Sequence, residues 1–560
     1  MHRRLGKSLA QKMPCSSLST VFFLLVVILA SSNEASCKQE KGACEGTKHC
    51  FPNSLELEMK HTVQTVHQMV TDTIQRVRSS AALMNNNQVA ANQTGLSSGG
   101  LSVALSDCIK LYEDSEFRLR RLSGKYGNND DARTWLSGAL TSHRTCLDGL
   151  QHYHEMNISH KLVQSDPESV TSHQNLTSLL SRALALYALR NAKKSKLLLN
   201  LIRISVKNCA FWCINATDGT MWRPKLGQNK GLLATWDAST AKADFVVAKD
   251  GSGNFKTINE AVAELHRQKR DQGQPPRVVI YVKSGVYSEN VEIDRGMKNV
   301  MFVGDGIDKT IVTGNKNVID GATTLSSATF GVSGDGFWAR DMTFENTAGP
   351  AKEQAVALRV SSDLSAFYRC SFRGYQDTLL LHSQRQFYRD CDIYGTVDYI
   401  FGNAAAVLQN CNIFVRKPLH GHGIMITAQG RDDPNENTGI SIHGSRVIPD
   451  SDFRTVKGLF KSYLGRPWKK YSRTVIFKTD LDGLIDPKGW KEWRGDFALS
   501  TLFYGEYMNS GVGASTSNRV NWPGFHVLNR ESDVAPFTVG RFIQGDTWLP
   551  DTGIPFSTSI

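Results

Sequence analysis

The sequence predicts two unlike folds in one chain: an all-α four-helix bundle over residues 40–200 and an all-β right-handed parallel β-helix over residues 241–560. Three observations carry that expectation. In the first third, apolar residues recur at three- and four-residue spacing with no strand-like stretch between them. After about residue 240 the pattern changes to short β-rich runs broken by glycine. Within those runs a motif repeats: FYRCSF (367–372), FYRDCDI (387–393) and VLQNCNI (407–413), with cysteines at 370, 391 and 411. Strands recurring at a period of twenty-odd residues mark a solenoid whose rungs stack at the strand spacing of about 4.8 Å.

Residues 1–36 precede both folds and read as a signal peptide. Arg3, Arg4, Lys7 and Lys12 form a basic start, and Val21 to Ala30 is an apolar run of ten residues. A membrane-spanning helix needs about 20, so export with cleavage near Ala30 or Ala35 is the expectation. Export implies an oxidising compartment. Of eleven cysteines, ten remain once Cys15 is removed, an even number that permits pairing without giving its pattern. Sequons at Asn92, Asn157, Asn175 and Asn215 cluster before residue 220 and fit a secreted glycoprotein. The net charge of +12 is uneven: from Ala241 onward 37 Lys and Arg face 35 Asp and Glu, which leaves +10 in the first 240 residues. Charge therefore says little about a substrate of the C-terminal region.

The bundle is read from SLELEMKHTVQTVHQMVTDTIQRV, LSVALSDCIKLYEDSEFRLRRL, ARTWLSGALTSHRTCLDGL and VTSHQNLTSLLSRALALYAL, separated by Asn- and Gly-rich loops. Residues 201–240 are expected to be a linker and processing region. Cys209 and Cys213 there fit a small loop disulfide or a CxxxC metal site, the latter lacking a His partner. From DFVVAKDGSGNFKTINEAV onward the chain reads strand, turn and helix, and then strands alone.

The solenoid converts sequence spacing into proximity. Asp377 and Asp398 are 21 residues apart and Gln354 and Gln376 are 22 apart, so the four side chains are expected to form one patch over three rungs. Cys391 and Cys411 lie one coil apart, within reach of a bridge between adjacent rungs. Two carboxylates about 5 Å apart do not both ionise readily. One then serves as a general acid and the other as nucleophile or base, while neighbouring amides stabilise an oxyanion. This spacing also fits a retaining glycosidase. No GxSxG elbow, Walker loop or HExxH motif occurs, so serine-hydrolase, nucleotide and zincin chemistries have no support.

Several long segments resemble the signature segments of plant pectinesterases: GYQDTL (374–379), GTVDYIFGNAAAV (395–407), YLGRPWKKYSRTV (463–475), ATFGVSGDGFWARDMTFENTAG (328–349) and EQAVALRVSSDLSAFYRCSF (353–372). The resemblance spans about 245–550 and implies a parallel β-helix that hydrolyses pectin methyl esters without a metal or organic cofactor. It implies that Asp398 is the nucleophile and Asp377 the proton donor and later base. Gln376 and Gln354 are implied as oxyanion donors, Arg466 as the group orienting the nucleophile, Trp468 as a sugar-stacking residue and Thr324 as a substrate contact. It also implies a Cys391–Cys411 disulfide. ALSDCIKLYEDS (104–115) and TWLSGALTSHRTCLDGL (134–150) resemble the pectinesterase-inhibitor domain, which implies a Cys108–Cys146 bridge and a pro-region that holds the enzyme inactive or assists export. The family's basic processing tetrad followed by leucines is represented only by WRPKLGQNKGLL (222–233). The partners implied are methyl-esterified polygalacturonate and a proteinaceous pectinesterase inhibitor, with no nucleic acid and a monomeric chain. Competing readings are a pectin lyase or polygalacturonase on the same scaffold, for which no cluster of three or four aspartates is spaced, and a mainly regulatory inhibitor.

Overall fold

The computed structural model describes residues 53–88, 98–123, 129–155, 176–190, 192, 231–267 and 277–560. The expected signal peptide, the four sequon asparagines, and Cys37, Cys44, Cys50, Cys209 and Cys213 lie outside them. No helix of the described residues is long and apolar enough to cross a membrane.

Among the described residues, four N-terminal helices form the bundle: α1 Asn53–Gln88, α2 Ser98–Ser123, α3 Asn129–Glu155 and α4 176–190. Each contributes one apolar stripe. Val66, Val70, Ile74 and Val77 of α1 meet Leu105, Leu111, Tyr112 and Leu119 of α2, Leu136 and Leu140 of α3, and Leu180 and Leu184 of α4. The three- and four-residue steps put each set on one helix face. Cys108 and Cys146 are joined, fastening α2 to α3 across 38 residues. The buried Tyr112 hydroxyl pairs with His143 Nδ1 at 2.7 Å, and His143 Nε2 with Thr177 Oγ1 at 3.0 Å, so this core polar group is satisfied.

The rest of the described chain is a parallel β-helix with three sheets of 11, 7 and 8 strands. Every named strand pair is parallel, and successive visits to one sheet are one coil apart. In-register rows fill the interior: Phe367, Tyr388, Leu408 and Ile442 in one sheet, and Phe372, Ile393, Ile413 and Val447 in another. Phe367 and Tyr388 stack with centroids 4.9 Å apart and planes 5° apart. The coil turns at a repeated corner. Asp341, Arg369, Asp390 and Asn410 have φ of 57°, 49°, 53° and 58°, and each precedes a fully buried interior residue: Met342, Cys370, Cys391 or Cys411. This left-handed conformation is tolerated best by Asn and Asp among side-chain-bearing residues, which explains three of the four.

The expected linker ends earlier than residue 240. Leu233 and Trp236 are buried against the 11-stranded sheet together with Phe537, Phe542 and Trp548 of the C-terminal segment. Arg340 donates to the carbonyls of Leu233 and Trp236 at 2.7 and 2.8 Å. Residues 231–240 therefore belong with the coil.

The implied Cys391–Cys411 disulfide is absent: Cys370, Cys391 and Cys411 are buried free thiols. Each directs its S–H at a main-chain carbonyl two residues back, of Tyr368, Arg389 and Gln409, at 3.6, 3.3 and 3.6 Å. The reason lies in where the thiols point. A rung spacing of about 4.8 Å permits a bridge, but the thiols are oriented to main-chain carbonyls instead, Cys391 also to that of Phe367 at 3.6 Å and Cys411 also to that of Tyr388 at 3.7 Å. Burial also pushes the Cys370 thiol up to about 12, suppressing the reactive thiolate. These three cysteines should resist iodoacetamide in the native protein and be alkylated in denaturant without reductant. Peptide mapping that recovers a Cys391–Cys411 linkage would disprove this.

Candidate active site

Asp377 and Asp398 stand two residues before the strands Leu379–Leu381 and Ile400–Gly402, which pair Leu379 to Ile400. That register sets the two aspartates side by side, and Asp377 N donates to Val397 O at 3.0 Å. Their φ values are 61° and 50°, so both occupy left-handed corners. Strained backbone of this kind persists where surrounding structure over-determines it. Ala355 N donates to Gln376 O at 3.3 Å, bringing the Gln354 segment alongside the Gln376 segment one rung away. Gln354 Oε1 is buried without a partner.

Arg466 arrives from two rungs further on. Ile400 pairs with Thr427 and Thr427 with Gly465, and Arg466 N donates to Thr427 O at 3.0 Å. Its guanidinium grips Asp398 in a fork: Nε to Oδ1 at 2.9 Å and Nη2 to Oδ2 at 2.7 Å. Trp493 closes over the other face of that guanidinium, 4.3 Å from its centre. Trp468 lies against Phe401, with centroids 6.1 Å apart, and over Gly430, where a Cβ would sit 2.8 Å from the indole. Only glycine allows that approach.

The two carboxyls differ in environment. Burial raises both. Asp377 is pushed well above its ordinary value of 3.8, first by desolvation and then by the charge of Asp398, while Arg466 opposes weakly. Asp398 is raised by burial too, but the direct hydrogen bonds and charge of Arg466 pull it back. The pair therefore favours a protonated Asp377 beside an ionised Asp398.

Every residue anticipated here from the sequence (Thr324, Gln354, Gln376, Asp377, Asp398, Arg466 and Trp468) lines one cavity of about 380 Å³. Its other wall is the helical bundle, with Leu111, Leu140, Thr141, Arg144, Thr145 and Asp148. Contacts between the two ring the cavity. Thr323 Oγ1 donates to Asp107 at 2.5 Å, Thr145 Oγ1 pairs with His382 Nε2 at 3.0 Å, and Asn403 Nδ2 donates to Thr141 at 2.8 Å. Lys469 meets Asp148 at 2.8 Å and Arg144 meets Asp432 at 3.1 Å.

Deeper anchors lie beyond the ring. Arg118 is fully buried and donates to Asp114, to Asp335 and to the Ser361 carbonyl at 3.0, 3.1 and 2.8 Å. At Gly138 the helix α3 comes so close that an added Cβ would lie 1.9 Å from the buried Gln384 Nε2. Sequence reasoning missed Trp493 and the whole covering surface. Trp493 lies 27 residues from Arg466 outside any repeat, so no spacing rule finds it.

The sequence profile of the family described as Pectinesterase matches residues 244–546, and that of the Plant invertase/pectin methylesterase inhibitor family matches residues 31–186. The chain is similar to "Probable pectinesterase/pectinesterase inhibitor 36" of Arabidopsis thaliana: 57% identity over 466 residues, 82% of this chain and 87% of that protein. It is 51% identical to "Pectinesterase 2" of Citrus sinensis over 461 residues, 82% of each chain. The solved structure "Pectin methylesterase from Carrot" superposes with a TM-score of 0.56 at 54% identity, covering 58% of this chain and 100% of that one.

The raised Asp377 carboxyl has a consequence for stability. Above 3.8 the unfolded carboxyl has lost its proton while the folded one keeps it, so folding takes up a proton in that window. The contribution is full below 3.8 and is lost as pH rises through the raised folded value. Asp377→Asn removes the burial cost of the charge. Calorimetry should show a melting temperature several degrees above the parent at about pH 7, with the gap closing near pH 3. An equal or lower melting temperature at neutral pH would contradict the assignment.

Proposed function

The chain belongs to the pectinesterase family, and we propose that it demethylates cell-wall pectin with Asp398 as nucleophile and Asp377 as acid and base. The observation that carries this reading is the asymmetry of the pair: only Asp398 is held by the Arg466 fork, at 2.7 and 2.9 Å. An ionised carboxylate so oriented attacks the ester carbonyl carbon. The carbonyl electron pair moves to its oxygen, where the Gln354 and Gln376 amides supply N–H donors. As the tetrahedral species collapses the C–OCH₃ bond breaks, and Asp377 gives its proton to the departing methoxide, releasing methanol. The ionised Asp377 then takes a proton from water. The hydroxide attacks the substrate acyl carbon of the acyl–Asp398 anhydride, the C–O bond to Asp398 breaks, and the Asp398 carboxylate and the pectic acid leave, the latter losing its proton to water. Trp468 offers a face on which a sugar ring stacks, and Thr324 a hydroxyl at the cleft wall.

The helical bundle is read as a pro-region that blocks the enzyme while it stays attached. The ring of contacts from Thr323–Asp107 to Lys469–Asp148 supports this, because it closes the cleft along the path a polymer would need. The boundaries follow as signal peptide 1–36, bundle 40–200 and catalytic coil to 560, with the coil starting by residue 231. The basic and apolar N-terminus and the clustered sequons support a secreted, glycosylated protein of the cell wall, read here as a monomer.

Two experiments check the proposal. With methyl-esterified polygalacturonate, Asp398→Ala should release no methanol, and Asp377→Asn should cost about 10²–10⁴ in kcat. Near-normal rates in Asp377→Asn across the pH range, or a viscosity drop without methanol, would refute the esterase mechanism. For the pro-region, Gly138→Leu drives a side chain into Gln384 without touching the acids, and methanol release from the polymer should rise by about 5–150-fold. No rise in that variant or in Arg118→Ala would argue against the block.

A further inference from the structure

Among the described residues lining the cavity, the coil contributes two full-time cations, Arg466 and Lys469. Arg466 is committed to Asp398 and backed by Trp493. Lys469, three residues on, is paired with no acid of the coil among the described residues. Its Nζ donates to both oxygens of Asp148 in the bundle, at 3.1 and 2.8 Å. The ammonium stands 5.4 Å from the centre of the Trp468 ring, the indole on which a sugar is read to stack. The segment carrying it is tied to the neighbouring rung at both ends: Arg466 N donates to Thr427 O and Tyr471 N to Arg431 O, each at 3.0 Å. In the seven-stranded sheet the 424–429 strand lies beyond the 400–402 strand, on the side away from 379–381. Lys469 is therefore displaced along the coil axis to the Asp398 side of the acid pair. A group placed there meets a neighbour of the reacting sugar. Each sugar of the polymer carries one carboxyl, neutral as the methyl ester and anionic once hydrolysed. Coil acids line the same cavity, Asp377, Asp398, Asp432 and Glu436 among them. An ionised neighbour is accepted beside them only where a cation answers it.

We infer that Lys469 binds the free carboxylate of a uronic acid residue neighbouring the ester under attack, and that Asp148 stands in for that carboxylate while the bundle is attached. This rests on the esterase reading and on the reading of the bundle as a cover given above. Lys469 thereby favours esters flanked by a sugar that has already lost its methyl group. It takes no part in breaking the C–OCH₃ bond, so its effect falls on binding. Asp148 is 38% and Lys469 23% exposed, which puts the pair in the solvent-screened range and makes the preference modest and salt-sensitive. Asp432 supplies a control of opposite charge. It too lines the cavity and is held from the bundle, by Arg144 at 3.1 Å.

The test uses the full chain carrying Gly138→Leu, with Arg118→Ala as a second means of displacing the bundle, and Asp398→Ala as background. Methanol release is measured on fully methyl-esterified polygalacturonate and on the same polymer with about half its esters removed at random by alkali. The readout is the ratio of kcat/KM on the second substrate, per remaining ester, to kcat/KM on the first. Lys469→Gln should lower that ratio by about two- to fivefold, through KM on the half-esterified polymer. It should weaken inhibition by fully de-esterified oligogalacturonate by a similar factor. Lys469→Arg should restore both, and about 1 M salt should erase the difference between parent and Lys469→Gln. A ratio unmoved by Lys469→Gln, or lowered equally by Lys469→Arg or by Asp432→Asn, overturns the inference. If methanol is still released in those cases, the esterase reading stands and only the carboxylate subsite falls. Methanol at background from both polymers with either displacing substitution overturns the esterase reading and the subsite together.

Discussion

The site depends on one constraint, the in-register parallel pairing of the Leu379–Leu381 and Ile400–Gly402 strands. A parallel ladder repeats every side-chain position at the strand spacing. Two residues upstream of those strands, that repetition turns a 21-residue sequence interval into two adjacent carboxyls. The same ladder, continued through Thr427 to Gly465, brings Arg466 to Asp398 across 68 residues of sequence. No loop has to be folded into place independently, because the scaffold that forms the core also sets the spacing of the two carboxyls.

Adjacency alone would make a poor pair, since two buried like charges resist ionisation equally. The coil breaks the symmetry by donating its guanidinium to one member only. Trp493 backs that guanidinium, so its planar face is covered while its N–H groups stay committed to Asp398. A stacked arginine is held with less loss of freedom than a lysine would be at the same place, and its fork matches a carboxylate.

How much of this the sequence disclosed depended on whether a residue belonged to the repeat. The solenoid was legible from three cysteine-bearing segments, and the Asp377–Asp398 and Gln354–Gln376 neighbourhoods followed from period arithmetic alone. Arg466 and Trp468 lie after an irregular excursion between the 424–429 and 462–465 strands, where the period lengthens, and only family resemblance placed them. Trp493 had neither aid. The repeat also misled: it put Cys391 and Cys411 one rung apart, which is correct, but the thiols turn to main-chain carbonyls instead of to each other. The four helices were legible from their stripes. Their resting place over the cleft was not, because Asp107, Thr141 and Asp148 read as ordinary polar positions of a solvated helix.

The left-handed corners at Asp341, Arg369, Asp390 and Asn410 carry a last implication. Each turn of the coil closes with the same local geometry and hands the chain on at the same angle, so a turn is a modular unit. Added or deleted whole, away from the 377 and 398 segments, such units change the length of the coil. They leave the reacting groups where they are.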